Sequence, residues 1–258
     1  MRAFADRWKD FQIVQAPLAQ ITWYHNLALL EKTKDEEQLW YAHKTIENGW
    51  SRNVLVHQIE SGLYERQGKA ITNFKEALPS PQSDLSHELI KSPYNLEFLN
   101  IEDNIKERSL EKALTDNIKD FLLELGKGFA FVGNQYHLEL EGEDYFLDLL
   151  FYHIKLRCFV IIELKAGKFL PEHAGKMNFY LNLVDNTLRH PTDSPSIEII
   201  LCRDKRNVTV KYSLDGIKRP LGVSEYKLNK ELEQKLKEAL PDEEEFKEEL
   251  EENLENNK

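Results

Sequence analysis

The 258-residue sequence predicts an α/β chain in which a helical region precedes a domain of strands and helices. Three observations carry that expectation. Apolar residues recur every three or four positions through Leu18, Ile21, Leu27 and Leu30, and again through Leu39, Ala42 and Ile46, which is the helical period. Three apolar, strand-like runs follow one another between Phe129 and Leu164, with short polar turns between them. A helical stretch from Pro171 to Val184 then leads to a further apolar strand, Ile197 to Cys202.

In chain order, Ser51 is a plausible N-cap for a helix that turns Val54, Leu55, Ile59 and Leu63 inward, with Arg52, His57, Arg66 and Lys69 toward its edges. Pro79 to Pro93 is polar and proline-bearing, which reads as a linker and sets a boundary near residue 100. Glu107 to Leu125 has helical spacing, with Gly126 as its stop. Phe129 to Leu140 is a strand. The turn Glu141-Gly-Glu-Asp144 leads to a strand bearing Asp148, and His153 to Leu156 turns into one bearing Glu163 and Lys165. So short a succession predicts an antiparallel meander. Val208 to Tyr212 reads as one more short strand. Residues 1–100 thus form a helical region and 101–230 the α/β domain. In the acidic tail, 231–258, Glu231 to Leu240 and Asp242 to Leu254 suit short amphipathic helices on either side of Pro241.

Composition narrows the function classes. No apolar run approaches the ~20 residues that span a bilayer, and Met1-Arg-Ala-Phe-Ala-Asp lacks the apolar core of a secretory signal. The expected address is the cytoplasm, with no membrane partner. Cys158 and Cys202 each fall in an apolar run, as buried thiols do, so no disulfide framework is expected. The net charge of −11 looks wrong for a protein that meets a polyanion. Residues 231–258, with twelve acidic side chains and four lysines, account for −8 of it, which leaves −3 for residues 1–230. A basic face therefore remains compatible with the sequence. The histidines show no HExxH spacing, and neither a Walker-type loop nor a GxSxG elbow occurs. Trp23, Trp40 and Trp50, at helical spacing, read as core rather than as base-stacking platforms.

The chemistry concentrates at Asp148 and Glu163-Leu-Lys165. Carboxylates interrupt two otherwise apolar runs, where a buried charge is costly without a partner. On adjacent strands the two can converge to about 5 Å, a bridging distance for one Mg²⁺, with the Leu164 carbonyl completing the protein's share. Lys165 shares a face with Glu163 by the period of two, and is placed to orient water or stabilise charge on phosphorus. Glu111, on the preceding helix, is a candidate for a further ligand through water. The plainer readings are an exposed Glu163–Lys165 ion pair and a turn-facing Asp148 satisfied by backbone amides.

Wider motifs add to this. Gly128-Phe-Ala-Phe-Val-Gly133, Gln135-Tyr-His-Leu138, Asp148-Leu-Leu-Phe-Tyr-His153, Glu163-Leu-Lys165, Ala174-Gly-Lys-Met-Asn-Phe-Tyr180, Arg189-His-Pro191 and Gly222-Val-Ser-Glu-Tyr226 together resemble the catalytic domain of the YhcG-type PDDEXK nucleases. The resemblance implies a restriction-endonuclease-like mixed sheet flanked by helices and metal-dependent cleavage of phosphodiester bonds, with DNA as substrate and Mg²⁺ as cofactor, Mn²⁺ substituting. It makes Asp148 and Glu163 metal ligands, Lys165 the catalytic lysine and Glu111 the first-helix carboxylate, with Gln135, Lys176 and Tyr180 as accessory candidates. Upstream, Ala16-Pro-Leu-Ala-Gln-Ile-Thr-Trp23, Asn48-Gly-Trp-Ser-Arg-Asn-Val-Leu55 and His57-Gln-Ile-Glu-Ser61 resemble the later part of the family's N-terminal DNA-binding region. A shortened helical region is therefore expected, which a homodimer or a partner chain would complement. The alternative function is a catalytically silent nucleic-acid-binding or protein-interaction module on the same fold.

Overall fold

A computed structural model of the chain describes residues 17–101 and 105–228; the tail helices expected in 231–258 lie outside the described residues. Among the described residues a 3-10 turn, Leu18–Gln20, is followed by four α-helices: α1 (Trp23–Lys32), α2 (Asp35–Asn48), α3 (Arg52–Glu60) and α4 (Leu63–Arg66). Ser51 caps α3, its hydroxyl accepting from the Val54 N–H at 3.4 Å. Leu18, Leu29, Tyr41, Ala42, Leu55, Ile59 and Leu63 form the core of this region, with Trp40 and Trp50 packed against it. Arg66 is not at an edge as expected. It is 7% exposed, because Glu124 waits inside the protein to pair with it.

The expected linker is structured. After β1 (Ile71–Thr72) come α5 (Phe74–Ala77), α6 (Gln82–Leu89) and β2 (Tyr94–Asn95). Phe74, Ile90, Tyr94 and Leu96 are fully or almost fully buried, and these apolar anchors hold a polar, proline-bearing stretch onto the sheet. Strand pairing to the sheet thus begins at Ile71, upstream of residue 100. Glu107 to Leu125 forms two helices rather than one, α7 (Glu107–Asp116) and α8 (Ile118–Leu125). They part at Asn117, where φ −112° and ψ 33° leave the helical region and the side-chain amide donates back to the Ala113 carbonyl at 2.9 Å.

The sheet continues with β3 (Phe129–Leu140), β4 (Glu143–His153) and β5 (Cys158–Lys168), the antiparallel meander the turns predict. The helix α9 (Pro171–Thr187) leads to β6 (Ile197–Asp204), and α10 (Asn207–Leu214) leads to β7 (Leu221–Lys227). Both crossovers are parallel, so the sheet is mixed, in the order β1-β7-β6-β5-β4-β3, with β2 also on β7. The strand expected at Val208 to Tyr212 is the helix α10. Val210 and Leu214, four residues apart, are buried, while Val208 and Tyr212 are 67% and 79% exposed, so burial has the helical period although the residue types favour strand.

Helices cover both faces. Leu110, Leu114 and Phe121 of α7 and α8 pack on Leu149, Phe151, Ile162 and Leu164. On the other face Met177, Leu181 and Val184 of α9, with Val210 and Leu214 of α10, pack on Leu147, Leu150, Ile161 and Ile200. Among the described residues no helix is long and apolar enough to cross a membrane.

Candidate active site

Strands β4 and β5 pair from His153–Cys158 up to Leu149–Ile162 and then part, β4 staying with β3 and β5 with β6. Asp148 and Glu163 are the next residues on each side of that fork. Beyond it, the Leu164 N–H has no β4 carbonyl opposite and donates instead to Asp148 Oδ2 at 2.8 Å. The carboxylate thus replaces a missing rung of the ladder.

The phase of β4 also changes here. Leu147 packs on the α9 face and Leu149 on the opposite face, although residues two apart in a regular strand share a face. Across from Asp148, Gln135 has φ +43°, a left-handed conformation uncommon for a residue with a Cβ. Its turn lets two consecutive side chains reach one acceptor: Asn134 donates to Glu111 Oε1 at 3.3 Å and Gln135 to Glu111 Oε2 at 2.6 Å. Glu111 is therefore held by β3 from the second turn of α7.

Glu163 is 1% exposed. Its Oε1 accepts from Lys165 Nζ at 3.0 Å and from Lys176 Nζ at 2.8 Å, while its Oε2 is buried without a partner. Lys165 also donates to the Leu164 carbonyl at 3.0 Å and lies 3.6 Å from Glu107. The Lys176 ammonium stands 4.9 Å from the centre of the Tyr180 ring, one helical turn away on α9. Although burial opposes its charge, the Glu163 carboxylate holds Lys176 above the ordinary lysine range. Burial, and then the neighbouring Glu163 charge, pushes the Asp148 carboxyl up to about 6, against the pull of the Leu164 N–H and Lys165.

All seven side chains singled out in the sequence, Glu111, Gln135, Asp148, Glu163, Lys165, Lys176 and Tyr180, converge on this fork, with the Leu164 carbonyl beside them. Two neighbours escaped the sequence reading. Glu107, one turn before Glu111, accepts from the Ala166 N–H at 3.3 Å and faces Lys165. Its i, i+4 spacing to Glu111 was the available signal. Glu198 interrupts a run that otherwise reads as wholly apolar; it is completely buried and neither carboxylate oxygen has a hydrogen-bond partner.

With this geometry in place, a family model described as the YhcG PDDEXK nuclease domain matches residues 87–241, more than half of the chain. The chain belongs to that family. A DUF1016 N-terminal domain model matches residues 1–66, the segment that ends with α4. A protein of Escherichia coli (strain K12) named "Putative nuclease YhcG" is 35% identical over 234 residues, covering 89% of this chain; the chain spans 61% of that protein's length. A solved structure described as a repair endonuclease from Pyrococcus abyssi aligns over 50% of this chain and 49% of its own at 14% identity, with a TM-score of 0.33. The observed sheet and helices are those expected of a PDDEXK nuclease with a helical region in front.

Proposed function

We propose that this chain is a metal-dependent endonuclease that hydrolyses phosphodiester bonds in DNA, with Mg²⁺ as the working ion and Mn²⁺ able to replace it. The observation that carries the reading is the fork, where Asp148 and Glu163 stand side by side with Lys165 against both Glu163 and the Leu164 carbonyl. The donor set fits a hard divalent cation. Glu163 Oε2 is buried and unpaired, and the Asp148 carboxyl is pushed up to about 6 by its own burial and by Glu163, a conflict that a bound dication would relieve. Asp148, Glu163 and the Leu164 carbonyl would hold the ion, which supplies charge neutralisation and a more acidic bound water.

The chain's own groups do the rest. Lys165 presents a fixed ammonium where negative charge accumulates on the phosphate oxygens, and needs no reorganisation because Glu163 and the Leu164 carbonyl already hold it. Lys176, half-exposed and bonded to the same Glu163 oxygen as Lys165, adds a second cation to the same place. Gln135 and Asn134 orient Glu111, which faces the site as an outer carboxylate able to hold a water. The segment of residues 1–66, helical in its described part, positions the nucleic acid, and two chains about a two-fold axis would bring two such sites to two strands.

The test is purified protein with plasmid and linear DNA, with and without Mg²⁺ or Mn²⁺, beside Asp148→Ala. Cleavage that requires the ion and is lost in the variant is the expected result. Cleavage persisting in Asp148→Ala removes that residue from the mechanism. Failure of the unsubstituted chain to cleave DNA or RNA, together with no calorimetric binding of Mn²⁺, favours a silent binding module instead.

A further inference from the structure

Because β5 pairs parallel to β6 and β6 to β7, the carboxyl ends of these three strands lie together, and the fork opens at that end. In open α/β sheets this is where ligands bind. Of the cations there, Lys165 and Lys176 are engaged by Glu163, and Lys205 by Glu225 at 3.0 Å and by the Ser92 hydroxyl at 3.2 Å. Lys168, at the end of β5, and Arg206, the residue before α10, are both exposed and make no ion pair among the described residues. Arg203 is exposed on β6. Asp204, aligned with Lys168, Glu172 in the first turn of α9 and Glu107, which accepts from the Ala166 N–H, are exposed carboxylates on this side.

The other flank of the fork is the more acidic one. Past Leu149 the β3–β4 hairpin continues without β5, and its end carries Glu139, Glu141, Glu143 and Asp144, all exposed. The nearest side chain able to carry positive charge there is His137, already bonded to Asp144 at 2.6 Å. A polyanion lying at Asp148 and Glu163 is thus repelled toward the hairpin and attracted toward the ends of β5 and β6. β5 shifts register between Lys165, paired with Cys202, and Lys168, paired with Asp204, so the two lysines lie two β6 positions apart, about 7 Å, which matches the rise of about two nucleotides.

We propose, on the nuclease reading above, that Lys168 and Arg206 are positioning residues that hold backbone phosphates beside the scissile one. The nucleic acid then runs from the fork across the carboxyl ends of β5 and β6 and away from the β3–β4 hairpin. Phosphate contacts of this kind set register and affinity without reading sequence.

The experiment measures binding of labelled duplex DNA to the full chain carrying Asp148→Asn, by anisotropy across a KCl series. Adding Lys168→Ala and Arg206→Ala is expected to reduce the slope of log K against log salt by about 2, with the difference vanishing as salt approaches about 1 M. A matched loss of charge on α7 and α8, Lys112→Ala with Lys119→Ala, is expected to leave the slope unchanged. In the protein with Asp148 intact, the Lys168 and Arg206 pair of substitutions raises KM at least tenfold and changes kcat less than about twofold. An unchanged slope on a background that binds DNA overturns the proposal and leaves the nuclease reading standing. Absence of both DNA binding and cleavage in the unsubstituted chain overturns the two together. A reduced slope with no cleavage retains the binding surface and rejects the nuclease reading.

Discussion

Glu124, in the last turn of α8, is the residue whose loss should most damage the junction between the helical region and the sheet. Its carboxylate accepts from Arg66 Nη1 at 2.5 Å and Nη2 at 3.4 Å and from the Asn95 N–H at 2.9 Å. Its own carbonyl accepts from the Lys91 ammonium. The side chains of Arg66 and Glu124 are 8% and 1% exposed, so solvent screens little of this. Glu124→Ala takes the carboxylate from the buried Arg66 guanidinium and from the Asn95 N–H, while Lys91 keeps the residue-124 carbonyl as its acceptor but loses the neighbouring negative charge. Breaking a buried pair from one side costs about 3–5 kcal/mol, which for a chain this size lowers Tm by about 6–20 °C. Urea unfolding followed by circular dichroism should show the midpoint falling with an unchanged slope. Lys91 adds a pH signature. Burial pushes its ammonium down from 10.5 to about 8 despite Glu124, so between those values the unfolded chain holds a proton that the folded chain has released. Stability of the unsubstituted protein from this group therefore rises as pH climbs from 8 to 10.5, by about 3 kcal/mol in all. In Glu124→Gln the window should open at a lower pH, since the opposing charge is gone. A loss below about 1 kcal/mol in Glu124→Ala would refute the claim that this network locks Arg66 to the sheet.

The other predictions concern the site and one helix. With chelator present at pH 7.5, Asp148→Asn should be more stable than the unsubstituted protein by about 3 kcal/mol, because the folded carboxyl, raised from 3.8 to about 6, is ionised there at a cost the amide does not bear. The folded state binds the extra proton between those values, so the gain should shrink as pH falls through 6 and vanish below 3.8; equal stabilities at pH 7.5 would sink this account. Added Mn²⁺ should raise the Tm of the unsubstituted protein and not that of the variant. On α10, Val208→Lys should fall within about 0.5 kcal/mol of neutral, whereas Val210→Lys should cost 3 kcal/mol or more by burying a charge. Similar penalties at the two positions would mean that they share a face, as in a strand.

Much of the site was legible because its residues break a pattern. Asp148 and Glu163 interrupt apolar runs, and the alternation of a strand puts Lys165 beside Glu163, where it is found at 3.0 Å. The three strands of the meander, and α9 with β6, follow from period and turns alone. What failed did so where tertiary burial overrode local signals. Val208-Thr-Val-Lys-Tyr has strand-forming residues, yet burying only Val210 and Leu214 against the sheet selects a helix. Pro79 to Pro93 has a linker's composition, yet Ile90 and Tyr94 anchor it. Glu198 was hidden by its neighbours: one carboxylate among Ile197, Ile199, Ile200 and Leu201 does not change the look of a strand. The fork at Asp148 was out of reach, since no local sequence rule says where two strands stop pairing.

On the proposed reading, that fork also separates the buried carboxylates that would serve chemistry from the one that would not. Glu198 and Glu163 stand on one face of neighbouring strands, Glu198 aligned with Ile161 and Glu163 with Ile200. Glu198 has no hydrogen-bond partner, and burial, then the charge of Glu163, pushes its carboxyl well above the ordinary range, which keeps it neutral. Glu163 is nearly as buried but has two ammonium groups within 3.0 Å, one of them on the half-exposed Lys176. Charge at Glu163 is therefore compensated by side chains that can move, and charge at Glu198 is not. Where β4 and β5 part, Asp148 gains partial access to solvent and a backbone donor in place of a strand partner. Among the described residues the two carboxylates with polar partners meet at that opening, so on the proposed reading a dication would be held by Asp148 and Glu163 rather than by a pairing with Glu198. The parting of the strands is thus what makes an otherwise costly cluster usable.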